Sequence, residues 1–265
     1  MTLTLMEPEG EPPAPKPAAT VVLLREGVQG PEAFLLRRKL TASFMPGAYV
    51  FPGGMVDPED AGLGQDPFLV AAARECFEEA GILLALDRDG EPLASAADWQ
   101  QQRREIMASP ARFRHFLRDL SLVLAPDAVR PWSWWLTPEV EKRRFDTRFF
   151  VAKAPPRQEG IPDGDETTNS CWMPLAEAMD RYQSGAIDMA PPTVATLVEM
   201  SAFSTVTEIM EQAPWDDACR FPCFARNEDN HTVILLPGDP DYPRDAQAVR
   251  GIHRVTWKRG RWWVS

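Results

Sequence analysis

Three glutamates, Glu75, Glu78 and Glu79, follow Arg74 at spacings that set them on one side of a helix. Like charges three and four residues apart repel by about 0.2–0.5 kcal/mol per pair, so a helix that keeps all three needs a compensating partner. Hard divalent cations such as Mg²⁺ and Mn²⁺ take oxygen ligands and are commonly held by carboxylates together with substrate phosphates. Gly53-Gly54, upstream, offers a main-chain carbonyl to the same ion. The spacing fits a cation-binding helix that acts on a phosphorylated ligand. It also fits a solvated acidic face on which Arg74 pairs with Glu78 one turn away.

The helix is predicted over 67–80. Asp66-Pro67 is an N-cap followed by proline in the first turn, and Gly81 stops the helix after Ala80. Leu69, Val70, Ala73, Cys76, Phe77 and Ala80 form its apolar face, and the glutamates lie opposite. Strands are predicted over 18–24, 33–38 and 49–51. The first two make a hairpin, and the third ends at Pro52-Gly53-Gly54 before a loop that runs to Asp66. Two short helices are expected within 99–124, broken at Ser109-Pro110. Strands follow at 132–138, 145–152 and 170–174, helices at 175–184 and 192–212, and a strand-like tail from Cys219 closes in a hairpin around Lys258-Arg259-Gly260.

Arg74 to Ile82 match R-E-U-x-E-E-x-G-U at every specified position, with Cys76 and Ile82 at the apolar places and Phe51-Pro52-Gly53-Gly54 upstream. The segment resembles the Nudix box, G-x5-E-x7-R-E-U-x-E-E-x-G-U. Asp60 stands in place of the first glutamate, and 13 residues rather than seven separate it from Arg74. The resemblance covers about 18–200 and implies an α+β fold, a Nudix α/β/α sandwich with a mixed β-sheet. The domain is then 18–214 with a helical insertion at 88–131, and 215–265 is a C-terminal β-rich extension packed on it. The family pattern implies that Glu75, Glu78 and Glu79 ligate Mg²⁺ or Mn²⁺ or activate water, with Gly54 as a carbonyl ligand and Arg74 as their orienting partner. Glu166, in the acidic turn Asp163-Gly164-Asp165-Glu166, is the expected distal catalytic and metal-binding carboxylate. The implied reaction is attack of metal-activated water on a diphosphate phosphorus.

The segments 44–54, 135–138 and 144–150 are similar to a branch of the family that includes a mammalian peroxisomal coenzyme A diphosphatase. The coenzyme A signature of other family members is matched only in part: Arg38, Gly47 and Phe51 to Gly54 fit, whereas Leu36, Lys39 and Ser43 depart from it. Losing an arginine at Ser43 removes a bidentate phosphate contact. Arg37, Arg38, Lys39, Arg144 and Arg148 are the candidate substrate contacts, and ordinary surface charge is the other reading. Trp132, Trp134 and Trp135 are expected in the core, with stacking on an adenine as the alternative. Coenzyme A or acyl-coenzyme A, split into a phosphopantetheine product and 3′,5′-ADP, is the leading substrate. ADP-ribose, dinucleotides or nucleotide sugars are the enzymatic alternative, and a non-catalytic Nudix-fold ligand sensor is the third reading.

Composition narrows the partners. The 265 residues carry 39 acidic and 28 basic side chains, a formal charge of −11, and 44% hydrophobic residues. That is ordinary for a globular chain with a core and argues against binding nucleic acid or an anionic membrane through bulk charge. Apolar runs long enough to span a bilayer are absent, and the N-terminus does not read as a secretory signal. The terminal Trp263-Val264-Ser265 is not a Ser-Lys-Leu address. Four cysteines in a chain of this length do not make a disulfide scaffold, so a cytoplasmic location is expected, and Cys219 and Cys223 lack the companions of a zinc site. Residues 1–17, with five prolines, read as a flexible tail. The family commonly forms homodimers, and the aromatic-rich extension is a candidate surface for that.

Overall fold

In the strand Lys16–Gly27, Ala19, Val21 and Leu23 point into one apolar cluster and Val22 and Leu24 into another. A strand buried on both faces must lie inside a sheet covered on both sides. The structure, a computed structural model, describes residues 3–42, 45–93, 99–124, 128–214 and 217–264. Its strands are β1 (Thr4–Leu5), β2 (Lys16–Gly27), β3 (Gly30–Arg38), β4 (Tyr49–Val50), β5 (Gly53–Met55), β6 (Ala85–Leu86), β7 (Val123–Leu124), β8 (Val129–Leu136), β9 (Phe145–Lys153), β10 (Thr167–Pro174), β11 (Cys219–Arg220), β12 (Cys223–Arg226), β13 (Thr232–Leu235), β14 (Arg254–Lys258) and β15 (Arg261–Val264). The helices are α1 (Pro67–Glu75), α2 (Gln100–Ala108), α3 (Ala111–Asp119), α4 (Leu175–Ser184), α5 (Pro191–Met200) and α6 (Val206–Gln212).

The main sheet runs β10-β3-β2-β9-β8-β11, with β4 on β3 and β5 on β2. It is mixed: β2 pairs parallel with β9 and β11 parallel with β8, while β8 and β9 are antiparallel. Helices α1 to α3 cover one face around Phe77, Phe113 and Leu117. On the other face, residues of α4, α5 and α6, among them Tyr182, Leu197 and Ile209, share a cluster with Trp132, Trp135 and Phe149. The fold is the expected α+β Nudix sandwich. Among the described residues, no helix is long and apolar enough to cross a membrane.

Several elements differ from the sequence reading for physical reasons. The proline-rich residues 3–17 lie along the molecule: β1 pairs with β12, and the Met6 N–H donates to the Phe224 carbonyl at 2.8 Å. Prolines lower the entropy lost on ordering an extended segment, so composition alone misjudges it. Residues 53–55, read as loop, form a strand because the edge of β2 offers them partners at Ala18, Ala19 and Thr20. The helix read over 192–212 is two helices, the second restarted by Thr205, whose hydroxyl accepts the Glu208 N–H. The C-terminal region splits in two: β11 joins the main sheet, whereas β12 to β15 form a separate antiparallel sheet with β1.

Candidate active site

Helix α1 begins as the sequence dictates. The Asp66 carboxylate accepts the Phe68 N–H at 3.0 Å, and Pro67 occupies the first turn. Its regular path ends at Glu75, and Cys76–Ala80 form a π-helical turn that carries Glu78 and Glu79. Single π turns cluster at functional sites because they re-aim side chains over one turn. Gly81 ends it at φ 69°, a left-handed conformation that favours glycine.

Arg74, 2% exposed, gathers the site. Its Nε and Nη2 donate to the two oxygens of Asp60 at 2.9 and 3.0 Å, and Nη1 donates to Glu75 at 2.8 Å and Glu78 at 3.0 Å. Nη2 also donates to the Met55 carbonyl at 2.9 Å. Burial works against the Arg74 charge, but the hydrogen bond to Asp60 and the surrounding carboxylates outweigh it and raise its pKa. Asp60 therefore anchors the arginine across the lengthened loop. It sits in a capping box in which the Asp57 N–H donates to its Oδ2. The sequence carried that signal in Asp57-Pro58-Glu59-Asp60, the spacing of a capping box.

Burial is the first cause of every carboxylate shift in the cluster. It pushes Glu75 up to about 7, with Arg74 opposing and Glu78 adding to the rise. Glu78 is raised by burial against the pull of Arg74. Glu79 is raised well above the usual carboxylate range by burial and by Glu75, although the Gly53 N–H donates to its Oε2 at 2.9 Å. The charge of Glu166, an exposed residue, adds to the rise of all three. Its carbonyl accepts the Lys39 N–H at 3.1 Å, so the end of β3 lies against the acidic turn. Asp163, passed over in the sequence reading, shapes that turn: its Oδ1 accepts N–H groups from Asp165, Glu166 and Thr167.

The cluster suits a hard cation. A Cβ at Gly54 would lie 2.6 Å from the Glu75 carboxylate, so with glycine there the main chain rests on that side chain as it stands. Carboxylates that are buried or half-buried, at raised pKa beside such a backbone, are a site that a divalent ion would stabilise. As the side chains stand, Arg74 and the Gly53 N–H hold them, and among the described residues no three acidic, Cys or His groups are already gathered at one point.

The basic candidates divide. Arg38 and Lys39 lie at the end of β3 next to the acidic turn, and Arg37 beside them is exposed. Arg144 is taken up by structure: Nε donates to the Thr137 carbonyl and Nη1 to that of Pro13. Arg148 stacks on Trp134, 3.6 Å from the ring centre, with Phe68 at 5.3 Å and Asp146 alongside. Neither is placed among the contacts of the carboxylate cluster. Trp132 and Trp135 are core residues, as expected. Ser43 and Phe44 lie outside the described residues.

Two supports were illegible in sequence. Arg103, from α2 of the insertion, donates through Nε to the Glu78 carbonyl at 2.6 Å, and the Ile161 N–H donates to the Ala80 carbonyl at 2.8 Å. Both satisfy carbonyls that the end of a helix leaves without partners.

The profile of the family described as "NUDT19 Nudix domain" matches residues 60–200, just over half of the chain. A curated relative named acyl-coenzyme A diphosphatase NUDT19 from Xenopus laevis is 28% identical over 274 residues, covering 81% of this chain and 72% of its own. The protein of the same name from Homo sapiens is 28% identical over 290 residues, covering 84% and 76%. The crystal structure of a NUDIX hydrolase from Alicyclobacillus acidocaldarius superposes with a TM-score of 0.70 at 28% identity, covering 75% of this chain and 96% of that one. With its box helix, buried carboxylates and sandwich fold, the chain belongs to the NUDT19 Nudix domain family and is a Nudix diphosphatase.

Proposed function

We propose that the chain hydrolyses the diphosphate linkage of coenzyme A or an acyl-coenzyme A, releasing a phosphopantetheine product and 3′,5′-ADP. The observation that carries the site is the packing of Glu75 on the Gly54 main chain, with Glu78 half-buried and Glu79 buried in the same turn. The names of the relatives, matched over more than four-fifths of this chain, support the substrate.

Glu75, Glu78, Glu79 and Glu166, with the Gly54 carbonyl, would hold Mg²⁺ or Mn²⁺. Such an ion, when bound, neutralises the diphosphate and lowers the pKa of water. Arg74 keeps Glu75 and Glu78 aimed, and Asp60 keeps Arg74 aimed. The Gly53 N–H fixes one oxygen of Glu79. A carboxylate of the cluster accepts the proton as water oxygen bonds to phosphorus and the bond from that phosphorus to the bridging oxygen breaks. Arg38 and Lys39, beside the acidic turn, would meet substrate phosphates. The four cysteines are free thiols, which supports a reducing compartment such as the cytoplasm.

The test is incubation with Mg²⁺ or Mn²⁺ and a panel of coenzyme A esters, ADP-ribose and dinucleotides, with product analysis. Coenzyme A or its esters should be turned over best, and Glu78→Gln or Glu79→Gln should lower kcat by orders of magnitude in folded protein. Preferred turnover of ADP-ribose would overturn the substrate, and near-normal turnover in both variants would overturn the site.

A further inference from the structure

A cavity of about 380 Å³ lies on the face of the main sheet away from α1, between that sheet, the start of α5 and the C-terminal sheet. Small-molecule sites commonly fall between roughly 300 and 1,000 Å³. Trp135 and Phe149 of the main sheet form one wall, and Phe224, Ile234 and Trp262 of the C-terminal sheet form another. Thr20 lines it too, and a Cβ on Gly53 would lie 2.6 Å from the Thr20 hydroxyl. Gly53 is also the residue whose N–H holds Glu79. Gly53 thus pairs with a residue that lines the cavity and holds a residue of the carboxylate cluster.

We propose that this cavity holds the pantetheine arm of the substrate, and that the C-terminal sheet is therefore a specificity element. The inference rests on the coenzyme A reading above. Its walls are apolar with threonine hydroxyls at Thr20, Thr137, Thr147 and Thr193, and its charged residues are Glu141 and Arg143. The gem-dimethyl group and thioester end of the arm suit aromatic and aliphatic walls, and its amides can pair with hydroxyls. Adenine suits it less. Its edge is read best by Asn or Gln, and among the described residues neither type lines the cavity.

The two products divide the substrate at the scissile bond, so each reports on one half. Binding of 4′-phosphopantetheine and of 3′,5′-ADP to the full chain in Mg²⁺ is measured by calorimetry for wild type, Phe224→Ala, Trp262→Ala and Trp262→Phe. Removing one aromatic wall should weaken phosphopantetheine on the order of tenfold, with a smaller loss in Trp262→Phe and no matching loss for 3′,5′-ADP. The phenylalanine variant keeps an aromatic wall and serves where an alanine variant fails to fold. Loss of 3′,5′-ADP affinity instead, or unchanged affinity for both products in folded variants, overturns the proposal. If coenzyme A is hydrolysed while the variants bind as wild type does, the cavity assignment falls and the activity stands. If phosphopantetheine binding depends on Trp262 but coenzyme A is not cleaved, the cavity assignment stands and the activity falls.

Discussion

Asp60 takes the place of a glutamate and lies 14 residues before Arg74, yet its two oxygens meet that guanidinium side on, with both side chains at most 3% exposed. Removing one partner of a buried pair leaves the other uncompensated, at a cost of about 3–5 kcal/mol. Asp60→Ala should therefore lower stability by that order in urea unfolding. It should also lower kcat, because Arg74 would no longer be held against Glu75 and Glu78. A loss below about 1 kcal/mol would show that the pair is not the anchor. The carboxylates give a second prediction. In the metal-free protein Glu75 sits at about 7, above its ordinary 4.5. Between those values the folded chain keeps a proton that the unfolded chain has released, so this group's contribution to stability falls as pH rises through the window. Relative to Glu75→Gln, metal-free wild type should thus lose Tm from about pH 4.5 to about pH 7. Because a cation binds the deprotonated form, Mg²⁺ should restore Tm more at about pH 8 than at about pH 5. A metal shift independent of pH would contradict this. At this scale the glutamates were legible because their spacing is local. The roles of Arg144 and Arg148 were not, because a charge in a sequence does not name the carbonyl or ring it will meet.

The box helix shows the same limit one level up. Asp66-Pro67 and Gly81 mark its ends in the sequence, and the structure uses all three. The π turn at Cys76–Ala80 has no comparable local mark, since it is supported from outside by α2 and by Ile161. Arg103 is 3% exposed, and burial lowers its pKa against the nearby charge of Asp163. Its 2.6 Å bond to the Glu78 carbonyl ties the insertion to the turn that carries two box glutamates. A hydrogen bond from a charged donor is worth about 1.5–3 kcal/mol. Arg103→Met, which keeps the aliphatic stem, should cost an amount in that range. It should reduce kcat more than it raises KM, because the side chain acts on the placement of Glu78 rather than on substrate. An unchanged kcat in a destabilised variant would make the insertion a mere support for the fold.

At the scale of the whole molecule, the net charge is unevenly placed. Residues 57–79 hold seven acids and one base, and 159–166 hold four acids and no base, so two segments that meet at the site account for nearly all of the −11. The acidic charge that argues against polyanionic partners is gathered at the proposed cation site. The C-terminal region is bound in by Glu199 of α5. That carboxylate meets Arg220 of β11 at 3.0 Å and Trp132 of β8 at 3.4 Å, and a Cβ at Gly251 would lie 2.6 Å from it. Arg220, fully buried, also donates to the Arg250 carbonyl at 2.9 Å. One ion pair thus joins the helical face, the main sheet and the segment leading to β14. It was invisible in sequence because its members lie 21 residues apart with no motif between them. Arg220→Met should strand the Glu199 charge and cost about 3–5 kcal/mol, whereas the double variant Arg220→Met with Glu199→Gln should cost less than the sum of the two singles, since it removes both charges. If the junction fuses the C-terminal sheet to the domain, the wild type should unfold in one transition, with tryptophan fluorescence and the loss of β structure coinciding. An early transition confined to the C-terminal strands would show instead that the two sheets are separate cooperative units.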